Sequence, residues 1–87
     1  MAWTVRFSDR AEKRLRNLDR KVSSRIIKTI EDIASLDDPR QRGKALTGRF
    51  AGLWRYRVGD WRVIAKLEHD RLIIIVIDTP HRSEAYR

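Results

Sequence analysis

The chain has 87 residues, 20 Lys and Arg against 12 Asp and Glu, a formal net charge of +8 and no cysteine. That length supports one domain, residues 1–87, with one modest core, and the lack of cysteine excludes disulfides and thiolate metal sites and fits a cytoplasmic setting. No stretch approaches the roughly 18 apolar residues of a membrane span, residues 1–7 lack the layout of a signal peptide, and two histidines outside any His-Glu-x-x-His pattern lead us to expect no metal and no cofactor.

Residues 3–7 alternate apolar and polar and predict a short strand. Ser8 is a helix cap and Asp9 suits the positive end of the helix that follows, in which Ala11, Leu15 and Leu18 recur at helical spacing. Asp19 is a second cap. Val22, Ile26, Ile27, Ile30, Ile33 and Ala34 then form an amphipathic stripe to about Leu36, where Asp37-Asp38-Pro39 stops it. Two helices this close in sequence predict an antiparallel hairpin. Residues 39–52, punctuated by Gly43, Gly48 and Gly52, read as a basic loop. The period then becomes two over residues 53–58, 61–67 and 72–77, three strands with Gly59-Asp60 as a hairpin turn and His69-Asp70 as a second turn. The almost wholly apolar residues 73–77 suit a central strand covered on both faces. The expected fold is α+β, in the order β-α-α-β-β-β, with the N-terminal strand and helical hairpin packed on a small, mainly antiparallel sheet.

The charge is concentrated. Residues 40–66 hold Arg40, Arg42, Lys44, Arg49, Arg55, Arg57, Arg62 and Lys66 against a single acid, Asp60, so they carry +7 of the net +8. With Gly59-Asp60 at the hairpin tip, Val58 faces Trp61, Arg57 faces Arg62, Tyr56 faces Val63 and Arg55 faces Ile64. Strand alternation then puts Trp54, Tyr56, Val58, Trp61, Val63 and Ala65 on a core face. Arg55, Arg57, Arg62, Ile64 and Lys66 fall on the other. Like charges opposed across a ladder destabilise it by roughly 0.2–1 kcal/mol per pair. A solvated or aggregation-resistant surface would account for scattered cations, but opposed arginines make better sense if an anion is the missing partner. The guanidinium fork matches phosphate, and such donors stabilise charge growing on phosphoryl oxygens. Nucleic acid is the usual partner of so basic a chain.

The other candidates lie in the C-terminal stretch Pro80-His81-Arg82-Ser83-Glu84-Ala85-Tyr86-Arg87. His81 could carry a proton near neutral pH, and Tyr86 could stack on a base; a frayed tail with incidental polar residues is the plainer reading of composition alone. Trp54 and Trp61 read as core, His69 as a turn residue, and neither Ser8 nor Ser23 has an acid–base partner nearby in sequence.

Three stretches share one resemblance. Residues 53–64, Leu-Trp-Arg-Tyr-Arg-Val-Gly-Asp-Trp-Arg-Val-Ile, resemble the hairpin of the RelE/ParE toxin superfamily. Lys44-Ala45-Leu46-Thr47-Gly48 is similar to the Lys-x-Leu-x-Gly stretch before it. His81-Arg82-Ser83-Glu84-Ala85-Tyr86 is similar to the family's closing His-Arg-x-x-x-Tyr. The resemblance covers essentially the whole chain. It implies a cytoplasmic toxin of a type II toxin–antitoxin system, neutralised by a cognate antitoxin, RelB-like or other, and reaching operator DNA only through that complex. RelE-type members cleave mRNA in the A site of the 70S ribosome without a metal, by attack of a 2′-hydroxyl on the adjacent phosphodiester. ParE-type members share the fold but inhibit DNA gyrase without being enzymes. The arginine face and the His-Arg-x-x-x-Tyr ending favour the endoribonuclease, an mRNA interferase.

Carried over by position, the resemblance implies a catalytic set of Arg55, Arg57, Arg62, His81, Arg82 and Tyr86, with Lys44, Arg49 and Lys66 binding RNA or the ribosome. This chain has arginines where the best-known pattern has two strand lysines, and Pro80 where it has an upstream arginine. Arginine does not deprotonate in proteins. Arg55, Arg57 and Arg62 are therefore expected to hold phosphate, with His81 taking the 2′-hydroxyl proton or protonating the leaving 5′-oxygen, and Tyr86 orienting base or ribose. Family members often continue into a C-terminal helix. Since this chain stops at Arg87, its tail is expected to order only on the ribosome or the antitoxin.

Overall fold

A computed structural model describes residues 3–84. The elements are β1 (Thr4–Phe7), α1 (Asp9–Asn17), α2 (Arg20–Ala34), β2 (Lys44–Ala45), β3 (Trp54–Val58), β4 (Trp61–Glu68) and β5 (Ile73–Asp78). The strands form one sheet in the order β1-β5-β4-β3-β2, in which only β1 and β5 run parallel.

The helix boundaries have local causes. Ser8 Oγ accepts from Ala11 N and donates to the Ile77 carbonyl at 2.6 Å, so one hydroxyl caps α1 and ties it to β5. Asp9 and Glu12 sit in the first turn of α1 and Arg14 and Arg16 in the last, both favourable to the helix dipole. Asp19 caps α2 through Lys21 N, and Ser23 Oγ donates to the Leu15 carbonyl at 2.6 Å, satisfying the end of α1. Ile26, Ile30, Ile33 and Ala34 of α2 are buried. They join Tyr56, Val58, Val63, Ala65, Ile74 and Val76 from the sheet in one core.

The expected order of elements holds, with three differences. The segment 39–52 is not a plain loop. It contains 3-10 turns at Pro39–Gln41 and Gly48–Phe50 and a fifth strand, β2, paired to the edge of β3. A two-residue strand is too short to leave a periodic signal. Leu72 is not a strand residue; it takes a left-handed φ of 53° and closes the turn into β5. β5 is internal, flanked by β1 and β4, but the helices cover only the face that carries Ile74 and Val76. On the open face Ile75 and Ile77 are half-buried. None of the helices described is long and apolar enough to cross a membrane.

Candidate nucleic-acid interface

The β3–β4 hairpin has the register that the turn residues predict. Val58 pairs with Trp61, Arg57 with Arg62, Tyr56 with Val63 and Arg55 with Ile64. Gly59 sits in the turn at φ 60°, a conformation that costs glycine little. Tyr56, Val58 and Val63 are buried against the helices, so alternation turns Arg55, Arg57 and Arg62 to the open face. β2 extends this face, because Lys44 stands in register with Arg55. Two cross-strand pairs therefore bring cations together, Lys44–Arg55 between β2 and β3 and Arg57–Arg62 between β3 and β4.

The three arginines differ in environment. Arg57 is exposed and has no ion-pair partner among the described residues. Arg62 is half-buried; its Nη1 donates to the carbonyls of Gly59 and Trp61 at 3.2 and 3.1 Å, so it folds back over the turn. Arg55 is half-buried, and its Nε is shut off from solvent with no hydrogen-bond partner among the described residues. An unsatisfied buried donor costs about 1–3 kcal/mol.

The remaining expected residues are dispersed. Lys66 lies on the open face, opposite Ile75, with its ammonium 3.8 Å from Glu68. Arg49 is exposed, stacked over Phe50 at 5.0 Å in the second 3-10 turn. Arg82 is at the hairpin tip. Its backbone N donates to the Asp60 carbonyl at 2.7 Å, and its guanidinium lies 3.7 Å from the Asp60 carboxylate. The one acid of the basic segment is thus engaged with the tail and leaves the arginine rows unneutralised.

His81 is not where the expected constellation requires it. It pairs with Trp61 across an isolated bridge, and its ring meets the Trp61 ring edge-on at 5.1 Å. Trp61 packs on the helical side, beside Val22 and Ile26. Paired antiparallel residues share a face, so the imidazole lies on the side of the sheet away from Arg55, Arg57 and Arg62. Its Nδ1 is 2.9 Å from Ser83 Oγ. The cause is a bulge between Ile64 and Ala65, which shifts the β4–β5 register by one residue before pairing resumes at Asp78. No local sequence signal announces it. Tyr86 lies outside the described residues.

Up to Glu84 the tail lies against the domain. Arg62 N donates to the Pro80 carbonyl at 2.9 Å. From α1, Arg14 joins Asp78 at 2.9 Å and Glu84 at 3.3 Å. Arg14, Asp78 and Glu84 escaped the sequence reading because 64 and 70 positions separate them. Arg42 and Gly43, which the sequence offered only as a cation and a loop breaker, stand beside Lys44 in a cleft with Arg55 and Arg57. Among the described residues, no three His, Asp or Glu side chains are grouped as a metal site would need.

Residues 5–86 match the family model of the ParE toxin of type II toxin–antitoxin systems. The chain belongs to the ParE toxin family, within the RelE/ParE superfamily. It is 28% identical over 90 residues to the toxin RelG of Mycobacterium tuberculosis, covering 100% of this chain and 99% of that protein. Its fold is that of a chain of the RelBE2 toxin–antitoxin complex of the same organism, with a TM-score of 0.84 at 23% identity over 94% of this chain and 100% of the other. It is also that of a mutant of the Escherichia coli toxin RelE in the free state, with a TM-score of 0.79 at 22% identity over 99% and 88%. The α+β architecture of two helices on a five-stranded sheet is therefore the family's own. RelE and ParE toxins share this frame, so the frame does not separate their targets.

Proposed function

We propose that this toxin is a metal-independent endoribonuclease that cleaves mRNA in the A site of the 70S ribosome in the bacterial cytoplasm. The observation that carries the reading is the pair of cation-only rungs, Lys44–Arg55 and Arg57–Arg62, on the sheet face that the helices leave open. A sheet selected for stability alone gains nothing from them. A phosphodiester laid along them gains several charge-assisted hydrogen bonds. Arg57, exposed, meets the scissile phosphate and stabilises the charge that grows when the 2′-hydroxyl attacks and the 5′-oxygen leaves, giving a cyclic phosphate. Arg55 and Arg62 hold the flanking oxygens. Lys44, Arg49 and Lys66 bind RNA away from the reacting atoms, and Arg82 joins the catalytic set together with His81 when the tail crosses. The ribosome supplies the positioning that so open a face cannot.

His81 acts in proton transfer on one structural condition. The stretch from His81 to Glu84 must leave Trp61 and Arg14 and cross to the arginine side. A pH–rate profile of His81→Ala tests this: a profile identical to wild type removes His81 from the chemistry. The partner in the resting cell is a RelB-like antitoxin, as in the toxin–antitoxin complexes of the same fold. An acidic or amphipathic segment of it covers the arginine face, and operator DNA is met only through that complex.

The deciding experiment incubates the toxin with ribosomes programmed with end-labelled mRNA and an open A site, then maps the cuts and their ends. Ribosome-dependent cuts ending in cyclic phosphate support the reading. Intact mRNA, with gyrase supercoiling inhibited in a parallel reaction, overturns it in favour of the ParE-type activity that the name of the matching family model suggests.

A further inference from the structure

The edge strand β2 does more than extend the basic face. Two clefts adjoin it and share Lys44 and Arg55. The larger, of about 360 Å³, is also lined by Ala45, Leu46, Thr47 and Phe50. The other, of about 280 Å³, is also lined by Arg42, Gly43, Tyr56 and Arg57. No carboxylate lines either one. The larger cleft falls at the small end of ligand sites, which run from roughly 300 to 1,000 Å³. That is room for one nucleotide and not for a folded segment.

Three features show that the cleft is built. A Cβ at Gly43 would overlap the Arg55 carbonyl oxygen, and φ there is +75°, so only glycine lets the chain pass close enough to set Lys44 beside Arg55. The Arg55 Nε is buried with no hydrogen-bond partner among the described residues, so the Arg55 guanidinium must shift toward a ligand before that nitrogen can donate to it. Thr47, at the cap position of the second 3-10 turn, makes no side-chain cap hydrogen bond. A cap threonine ordinarily spends its hydroxyl on the backbone; this one lines the cleft without that bond. Meanwhile Leu46 N is bonded to the Leu53 carbonyl at 3.0 Å, which holds the wall in place.

We propose that this cleft is a nucleotide subsite, one position along the strand from the arginine pair Arg57–Arg62. The 5′-phosphate seats on Lys44 and Arg55, the base lies against Ala45 and Leu46, and the Thr47 hydroxyl reads a base edge. The subsite therefore contributes sequence preference that the arginine rows, which meet only phosphate, cannot supply. The inference rests on the reading of the open face as an RNA surface.

The test titrates isotope-labelled full-length toxin with inorganic phosphate, with each nucleoside 5′-monophosphate, and with a trinucleotide whose 2′-hydroxyls are replaced by hydrogen so that it cannot be cleaved. The readout is the amide and arginine side-chain spectrum. Phosphate should move Lys44 and the Arg55 Nε signal. The mononucleotides should also move Leu46 and Thr47, with affinities that differ among bases, and the trinucleotide should bind at least tenfold more tightly. Thr47→Trp, at an exposed position, should fill the cleft and abolish the Leu46 response; Thr47→Val should level the differences among bases. Nucleotides that act no differently from phosphate would reduce the cleft to a simple anion site and overturn the proposal. So would a trinucleotide no tighter than a mononucleotide, which would point to a free nucleotide as ligand. The spectrum is independent of catalysis: base-selective shifts without mRNA cleavage would sink the ribonuclease alone, and cleavage without them would sink this subsite alone.

Discussion

Two charged regions of the molecule treat their ions in opposite ways. At the corner around Asp38, charged groups find partners within the fold. Asp38 accepts from the Arg40 backbone N at 2.9 Å and from its guanidinium at 2.9 Å, with His69 Nε2 at 3.8 Å. The same corner is braced by Trp3, whose indole donates to the Asp37 carbonyl, and by Tyr56, whose hydroxyl donates to the buried Pro39 carbonyl at 2.8 Å. On the open face and its edge, Lys44, Arg55, Arg57 and Arg62 have only Asp60 within their stretch of chain, and Asp60 faces Arg82. Charges that serve folding arrive with partners. Charges opposed to like charges, one with a buried nitrogen that lacks an acceptor, bring the fold no such benefit.

The contrast can be broken most sharply at Arg57. Arg57→Ala should lower ribosome-dependent cleavage by about 10²–10³-fold, the usual loss for one donor to a developing anion. Its melting temperature should stay at or slightly above that of wild type, since one opposed like charge is gone. A large fall in melting temperature would make the arginine rows structural. Next in size is Tyr56→Phe at the paired corner. It leaves the Pro39 carbonyl without its donor and should cost about 1–3 kcal/mol in denaturant unfolding, while cleavage by the folded protein stays unchanged.

Arg62→Ala is the intermediate case. Loss of its bonds to the turn carbonyls costs about 0.5–1.5 kcal/mol, and relief of its opposition to Arg57 returns roughly 0.2–1 kcal/mol. Unfolding should therefore move by no more than about 1.3 kcal/mol while cleavage falls. Arg57, free of such bonds, is the cleaner probe.

The smallest effects are in pH. Burial holds the Tyr56 phenol well above its ordinary range, with the Asp38 charge acting in the same direction. A raised folded value favours folding below the unfolded value, near 10, and that contribution is lost as pH climbs beyond it. The tyrosinate absorbance that disappears in Tyr56→Phe should therefore develop in wild type only as the protein unfolds. Asp38 has the opposite sign. The side-chain hydrogen bond from Arg40, helped by the Arg40 backbone N–H, holds its carboxyl below the ordinary range. Its stabilisation is present above the unfolded value, about 3.9, and is lost as pH falls through the folded one. Asp38→Asn should melt slightly earlier than wild type at neutral pH and together with it in acid. A gap that persists there would mean that the carboxylate's charge is not what stabilises the corner.

Much of this was legible in one sequence because local physics writes it locally. Ser8 and Asp19 marked two helix starts, and the stripe from Val22 to Ala34 marked the buried side of α2. Gly59-Asp60 set the hairpin register, and with it the opposition of Arg57 and Arg62. β2 was not legible, because two residues carry no period; nor was the bulge between Ile64 and Ala65, which depends on how β5 meets β4.

The sequence by itself determined the kinds of element, their order, the hairpin register and the presence of a face of cations, because each follows from spacing along a strand or helix and from turn chemistry. Only the tertiary structure decided that Lys44 joins Arg55, that Arg55 Nε is sealed without an acceptor, that Arg14 grips the tail, and that the His81 ring lies with Trp61 on the far side of the sheet. Those facts depend on distant segments meeting. Where they meet is set by the packing of a shared core and by one bulge, which no periodicity of the chain encodes.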